Sequence, residues 1–455
     1  MAELRYQSAP PGTDTGNARD KCCIYERVPL QDSGGTTRLY YMVLSPGHTL
    51  AGEPMSKAQL PNLLTKVLPT PTMELFAPRG KERVFIPSPL SQMWLRKPIR
   101  YDPKKIVLRL PDSCKLEEGD AKAMLELKKM GMQFAAQVGV LGDLSHDPSL
   151  IAALDYILVD NHERQGLMTA LNGLKQQNPN LKAVGFKAYG ELFTREEASK
   201  YDLVLGMVEP IRLPYEARPA WQHVLLRTFA ELFSGIYDLK DLGKLAGEYP
   251  IFGAAMKGLL SSKEVTELTI HSGGMMLSNV NKLTQKDMRD LLSVALGYCL
   301  LCLADKYTRP AEAGEYNPLS TDLEMLLHGI IRGKMVEILA EKPCDDYDNR
   351  QAFMSGFLSL IHLYIHDKYA AVCDEFMLNA PASYFAFDNT TLGRVIRYVR
   401  ALEQHDFETV NEISGKSGFG FTKEQVYAAY LRAVTWADAL IKAIIDASSQ
   451  AFGKR

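Results

Sequence analysis

The sequence has no long apolar segment, no disulfide framework and no excess of one charge. None of its 455 residues forms an apolar run long enough to cross a bilayer, and residues 1–20 lack the apolar run of a signal peptide. Seven cysteines, odd in number and scattered, indicate reduced thiols. With 52 basic and 54 acidic residues, the net charge of -2 gives no support for a nucleic-acid partner. We therefore expect a cytoplasmic protein without a membrane segment.

Three short apolar segments lack the acids that a metal-dependent hydrolase would place at strand ends. These segments are Ile106–Pro111, Phe134–Gly139 and Tyr156–Asp160. Helical segments separate them, and this alternation is typical of a parallel α/β sheet, whose chemistry lies at the carboxyl ends of the strands. Those ends carry Arg109, Gln137 and Val138, and Asp160 is the only acid on the three strands.

Changes of pattern divide the chain into four parts. Residues 1–20 are polar and predict a flexible tail, and residues 21–213 alternate strands with helices, as in a barrel or a doubly wound sheet. Pro210–Pro219 contains three prolines and predicts a stiff linker, which we assign to residues 214–220. Residues 221–450 have the apolar spacing of helices throughout.

Local signals predict a hairpin and several helix starts. Two strands, at residues 22–30 and 38–45, flank an Asp-Ser-Gly-Gly turn at residues 32–35. A threonine three residues before Glu or Gln predicts a capping box, in which hydroxyl and side-chain oxygen accept from free amides. This pattern begins at Thr194, Thr321 and Thr422.

The C-terminal part resembles the closing part of the bacterial EAL–HDOD signalling proteins. That family has a Phe-x-x-Gly-x-x-Ser helix, then a helix ending in Glu before an acidic pair, and closes on Tyr-x-x-Ala-x-x-Trp-Ala. The matching residues are Phe353, Gly356, Ser359, Glu403, Asp406, Tyr430, Ala433, Trp436 and Ala437. The resemblance covers residues 21–445 and implies an α/β plus all-α fold: a degenerate (β/α) EAL-like TIM barrel, followed by an α-helical HDOD domain related to the HD fold.

EAL domains hydrolyse the bacterial second messenger cyclic di-GMP with two divalent metal ions, and the resemblance implies that this chain has lost the residues required. The family's first Glu corresponds to Met42 and its Asn to Pro87. Its second Glu corresponds to Arg109, and its Asp pair to Gln137 and Val138. The remaining lost positions, a Lys, a Glu and a Gln, correspond to Leu158, Phe186 or a neighbour, and Leu205. Asp160 is retained, but one carboxylate cannot hold two hard cations. We expect no metal and no cofactor.

The resemblance and the lost acids together predict a catalytically inactive regulatory protein that acts through protein contacts of its helical domain. An alternative is a sensor that binds cyclic di-GMP without hydrolysis in a vestigial pocket formed by Arg109, Gln137 and Asp160, since arginine suits bidentate contact with phosphate. The third hypothesis is an enzyme, either a cyclic di-GMP phosphodiesterase or a metal-dependent phosphohydrolase.

Two further patterns have both a structural and a functional interpretation. His366-Asp367 matches the name of the HD phosphohydrolases, but a metal site needs further ligands, and the spacing of His328 and Asp388 does not select them. Cys299 and Cys302 form a single CxxC inside an apolar helix. A zinc site requires a second pair, so we expect two buried thiols one turn apart.

Overall fold

The chain divides into two compact units, Met1–Glu209 and Pro210–Arg455. In the first unit, the computed structural model describes residues 23–49, 83–87, 103–110, 120–137, 148–160, 164–187 and 191–209. In the second, it describes residues 220–235, 237–272, 283–308, 316–365, 390–404, 406–415 and 419–453. The predicted linker Pro210–Pro219 lies outside these ranges. No described helix is both long and apolar enough to cross a membrane.

The first unit contains a closed eight-stranded barrel in which the strands follow sequence order around the ring. The strands are β1 Cys23–Gln31, β2 Thr37–Thr49, β3 Val84–Pro87, β4 Ile106–Arg109, β5 Gln133–Gln137, β6 Tyr156–Asp160, β7 Lys182–Phe186 and β8 Leu203–Leu205. The helices between them are α1 Asp120–Lys129, α2 Pro148–Ala153, α3 Arg164–Gln177 and α4 Arg195–Ala198. The predicted α/β barrel is therefore confirmed, and the doubly wound alternative is wrong.

The first strand runs against the other seven. β1 pairs antiparallel with both β2 and β8, whereas the remaining neighbours are parallel, so the barrel differs from the all-parallel (β/α)8 form. The reversal comes from the predicted hairpin. Asp32 Oδ1 accepts from the amides of Gly34 and Thr36, both at 3.0 Å, and Gly35 adopts a positive φ of 82°. The turn residues therefore set the direction of the first strand.

The barrel interior is apolar because alternate residues of each strand face inward. One buried cluster contains Leu30, Leu39, Tyr41, Phe85, Val107, Ala135, Tyr156, Leu158, Val184 and Leu203. Two residues after an inward position, the next side chain faces inward again. The last residue of β4, β5, β6, β7 and β8 is therefore on the inward face at the carboxyl edge.

Two aspartates at the amino edge make the same set of contacts. The Asp155 carboxylate accepts from the amide of Phe134 at 3.0 Å, and the Asp202 carboxylate accepts from the amide of Ala183 at 2.7 Å. In each case the aspartate's own amide donates to the carbonyl of that same residue. Each carboxylate also pairs with a lysine of the helix that precedes the bonded strand: Asp155 with Lys128 of α1 at 3.1 Å, and Asp202 with Lys175 of α3 at 2.9 Å. These contacts fix strand register and helix position together.

The second unit is helical throughout its described residues, apart from a 3-10 turn at Pro318–Ser320. The helices are α5 Ala220–Ser234, α6 Leu239–Glu248, α7 Pro250–Ser261, α8 Lys263–Ser272, α9 Gln285–Thr308, α10 Glu324–Ala340, α11 Asp346–Ile365, α12 Thr391–Glu403, α13 Phe407–Ser414 and α14 Lys423–Phe452. The helical prediction is confirmed for these residues, and buried side chains of α5 to α11 and of α14 form one large apolar core.

Two of the three predicted capping boxes are present. Thr194 and Thr422 cap α4 and α14 with the reciprocal bonds expected of the motif. The prediction for Thr321 is wrong, because α10 begins only at Glu324, and its N-cap residue Leu323 makes no side-chain cap bond. Thr321 instead donates to Asp305 at 2.9 Å, so a tertiary contact takes the hydroxyl.

Candidate functional site at the barrel mouth

The carboxyl ends of the parallel strands bring most of the predicted positions to one edge of the barrel. In register, Pro87 lies beside Arg109, and Phe186 lies between Asp160 and Leu205. These positions form the barrel mouth, the edge at the carboxyl ends of the parallel strands.

Three predicted positions lie elsewhere. Met42 is within β2, paired with Arg27, and its side chain is outside the described residues. Leu158 belongs to the buried interior cluster, one inward position below Asp160. Val138 follows β5 and is outside the described residues.

Arg109 is the centre of the barrel mouth. Its Nη1 donates to the Tyr41 hydroxyl at 2.6 Å, and its Nη2 donates to Gln137 Oε1 at 3.1 Å. The guanidinium carbon lies 5.8 Å from the Tyr41 ring centroid, within the range of a cation–π contact. One side chain of β4 thus connects β2 with β5.

Tyr41 is the residue of this site that the sequence analysis missed. Its side chain is only 3% exposed and belongs to the interior cluster with Leu39. Strict alternation along Arg38–Val43 would have placed Leu39 and Tyr41 on one face and Met42 on the other. The alternation therefore indicated Tyr41, but the resemblance to the EAL family selected Met42 instead.

The donor groups at the barrel mouth do not fit a pair of divalent cations. Among the strand-end positions Pro87, Arg109, Gln137, Asp160, Phe186 and Leu205, only Asp160 carries a carboxylate. Mg²⁺ and similar hard cations require several oxygen ligands, and a guanidinium at the same edge repels them. Across the described ranges, no group of three or more His, Cys, Asp or Glu side chains is placed to hold a metal ion.

A second cationic side chain, that of Lys187, follows β7 and forms an ion pair with a residue of α4. Lys187, whose side chain is 10% exposed, pairs with Glu197 at 2.6 Å and lies 4.9 Å from the Phe193 ring centroid. The hydrogen bond from Lys187, with further bonds from Thr194, lowers the pKa of Glu197 to about 2. The capping box and this ion pair share the same carboxylate, so Lys187 has a structural partner.

The matched residues of the helical unit lie where its helices meet. Phe353 packs edge-on against Trp436, with ring centroids 5.4 Å apart. A Cβ added to Gly356 would lie 2.8 Å from Gly333 Cα, so α10 and α11 cross at van der Waals contact. Asp406 caps α13 by accepting from the Thr409 amide at 3.1 Å. These residues hold helices together.

Two more matched residues form a polar junction with Arg332, which the sequence analysis did not select. Arg332 of α10 donates through Nε and Nη2 to Glu403 of α12, at 3.0 and 2.6 Å to Oε2. Its Nη1 donates to the Ser359 hydroxyl of α11 at 3.0 Å, and that hydroxyl donates to the Gly356 carbonyl at 2.6 Å. One guanidinium therefore joins three helices.

Five charged side chains, three buried and two half-buried, lie together at α9 and α10. Lys286 pairs with Asp290 at 2.8 Å and with Glu337, while Lys334 pairs with Glu337 at 2.7 Å. Arg289 also pairs with Asp290, at 3.2 Å. Burial by itself would raise the pKa of Glu337, but the two lysines outweigh it and lower the pKa to about 2. Each of these groups therefore has an oppositely charged partner within the helical unit.

The other predicted motifs show no ligand site in the described residues. Cys299 and Cys302 are fully buried, as expected for core thiols, and burial raises the pKa of Cys302 to about 11. His328 lies 3.3 Å from Glu324 of its own helix. His366-Asp367 and Asp388 lie outside the described residues.

No family model and no curated protein matches the chain. Three solved structures are similar to part of the chain. An EAL-domain protein from Listeria monocytogenes EGD-e has 14% identity and a TM-score of 0.29, covering 43% of this chain and 92% of that one. The EAL-like domain protein YdiV has 12% identity and a TM-score of 0.30, covering 41% and 89%.

The third structure is Klebsiella pneumoniae BlrP1, in a complex with manganese and cyclic di-GMP. It has 13% identity and a TM-score of 0.31, covering 44% of this chain and 56% of that one. Likeness of this degree assigns no function, and the bound manganese and dinucleotide are properties of BlrP1.

Proposed function

We propose that this protein is a catalytically inactive regulator of bacterial signalling, related to cyclic di-GMP pathways. In this proposal, a degenerate EAL-like barrel is combined with a helical HDOD-type domain that acts through protein contacts. The observation that carries it is the position of Arg109, whose guanidinium joins Tyr41 and Gln137 at the edge where the resembled family holds metal ions with carboxylates.

The charges of the side chains at the barrel mouth support this proposal. A two-metal site needs carboxylates to offset four positive charges, and each hard cation takes six or more oxygen ligands. Here the mouth contributes one cation, one amide and one carboxylate among its strand-end residues. Replacing a ligand by arginine adds repulsion to the loss of a donor, so restoring a single acid would not restore the site.

The geometry of the helical unit supports a role in protein contacts. The matched residues Phe353, Ser359 and Glu403 are engaged in contacts between helices, as described above. Residues engaged in this way stabilise the domain and are not available to a substrate. Recognition would then use the outer surface of the helices.

Turnover and binding of cyclic di-GMP measured on one preparation test this proposal. We expect no linear dinucleotide with Mg²⁺ or Mn²⁺, while an active EAL phosphodiesterase run in parallel gives product. The same result is expected for Arg109→Glu, because one added acid is insufficient. Metal-dependent turnover by the wild-type chain would refute the proposal.

A second candidate, a cyclic di-GMP sensor, is favoured by the same arginine. A guanidinium on the inward face at a barrel mouth is suited to a phosphate, although Tyr41 and Gln137 compete for its donors. Calorimetric titration should then show saturable binding that Arg109→Gln weakens and that Arg195→Gln, an exposed arginine of α4, leaves unchanged. A flat titration with micromolar nucleotide would eliminate this candidate.

A further inference from the structure

A second feature of the barrel, independent of the proposed function, lies at its opposite end. A cavity of about 430 Å³ is lined by Leu39, Tyr156, Leu203, Lys182, and the pair Asp32 and Arg38, with Asp202 at its edge. Tyr156, Lys182 and Leu203 are the first residues of β6, β7 and β8. The cavity therefore opens at the amino edge, and its volume is within the range of small-molecule sites.

The floor of this amino-end cavity is apolar. Leu39, Tyr156 and Leu203 all belong to the interior cluster of the barrel and are at most 8% exposed. Burial raises the pKa of Tyr156 to about 12, so its hydroxyl keeps its proton at neutral pH and donates to Gln133 at 3.2 Å. A flat apolar group would cover this floor without displacing a charge.

The carboxylates at the rim are already engaged. Asp32 accepts four hydrogen bonds: two from backbone amides at Oδ1, and two from the Arg38 guanidinium at Oδ2, at 3.0 and 2.9 Å. Asp202 Oδ2 accepts from the Ala183 amide at 2.7 Å and from Lys175 at 2.9 Å. Each of these acids therefore already has a cationic partner.

The cations at the rim are less fully engaged. Lys182 lies two residues before Val184 of the interior cluster, on the inward face of β7, and its ammonium has no partner among the described residues. Arg38 contacts Asp32 through Nε and Nη2, so its Nη1 has no partner in the part of the chain that the structure describes. Lys182 and Nη1 of Arg38 are therefore hydrogen-bond donors still available to a ligand at this rim.

We propose that the amino-end cavity binds a small aromatic anion. The ring lies on Leu39, Tyr156 and Leu203, and the anionic group is bound by Lys182 and Arg38. A carboxylate and a phosphate share this chemistry, since both present oxygens to an ammonium and a guanidinium. Ligands of (β/α)8 enzymes bind at the carboxyl ends of the strands, so the site would be at the opposite end of the barrel.

Calorimetric titration of the full chain with benzoate, phenyl phosphate and benzyl alcohol tests this site. We expect saturable one-to-one binding of at least one of the two anions, and weaker binding of the neutral alcohol. The anion that binds with the higher affinity shows whether the site prefers a carboxylate or a phosphate. No saturable heat with either anion at millimolar concentration would overturn the proposal, and so would equal binding of the alcohol.

Substitutions of Lys182 and of a control lysine test whether the anion binds in this cavity. Lys182→Gln should lower the affinity for the preferred anion about fivefold to tenfold, as expected for the loss of a charged hydrogen bond in a partly exposed site. Lys182→Arg should retain most of the affinity, and Lys122→Gln, an exposed lysine of α1, should have no effect. Circular dichroism of each variant verifies folding. Wild-type affinity in folded Lys182→Gln would overturn the assignment.

Discussion

The junction of Arg332 with Glu403 and Ser359 is expected to be a major determinant of stability in the helical unit. The two charged side chains are 11% and 22% exposed, so the pair is mostly removed from water. Glu403→Gln leaves the guanidinium with a neutral partner. Removing one member of a buried pair costs about 3–5 kcal/mol, and the residual exposure here favours about 3 kcal/mol.

A double-mutant cycle separates the pair from the side effects of each substitution. Arg332→Met, Glu403→Gln and the double variant should give a coupling energy of about 2 kcal/mol, because residues in one buried network are not additive. Arg397 and Glu412 provide a matched control, since they form another Arg–Glu pair at 3.2 Å, from α12 to α13, with 37% and 50% exposure. Their coupling should be below about 1 kcal/mol.

The measurement is urea unfolding of the full chain, followed by helical circular dichroism and by tryptophan fluorescence. Trp436 is buried in the core of the helical unit, where it packs against Phe353 of α11, a helix that contributes Ser359 to the junction. A coupling energy near zero for Arg332 and Glu403, or one equal to that of the exposed control, would refute the reasoning. It would mean that solvent screens the junction despite its burial.

Other substitutions test packing, pH dependence and capping. Gly356→Ala should cost about 1–3 kcal/mol through overpacking against α10, whereas Gly243→Ala, where the added Cβ meets nothing within 4 Å, should gain about 0.5–1 kcal/mol; thermal unfolding compares them. The pKa of Glu197 is lowered to about 2 from 4.5, so its contribution to stability is complete above pH 4.5 and is lost as the pH falls toward 2. Glu197→Gln should therefore flatten that part of the acid unfolding curve, and an unchanged slope would contradict the assignment. Thr422→Ala should cost about 1 kcal/mol through loss of a helix cap, and full helicity with unchanged stability in urea would count against the cap. Thr321→Ala should destabilise the contact with α9 without shortening α10, as hydrogen exchange of the first α10 amides would show.

The sequence predicts elements better than it predicts contacts between them. The strand Tyr156–Asp160 was predicted to the residue, because apolar β-branched residues bounded by breaks have few alternatives. The hairpin and the caps at Thr194 and Thr422 were also predicted, because each depends on residues at most a few positions apart. Thr321 has the same local pattern, but a tertiary partner determines its role.

The site illustrates the same limit. Arg109 and Gln137 were selected from their strand ends, and the structure brings them to hydrogen-bonding distance. Tyr41 is 68 positions from Arg109, and Glu403 is 71 positions from Arg332. Partners at such separations are set by how strands and helices pack, which no local pattern in a single sequence specifies.

The paired contacts of Asp155 and Asp202 have a consequence for the order of folding. Each joins residues about twenty positions apart, since the carboxylates bond amides 21 and 19 residues away. Closure of the ring instead depends on Gln31, whose side chain accepts from the Val208 amide 177 residues away. Short loops lose less entropy on closing, so we expect the two strand–helix–strand segments to form first and the contact of the first strand with β8 to form last. In pulsed hydrogen exchange, the Ala183 amide should then gain protection before that of Val208, and the reverse order would exclude this sequence of events.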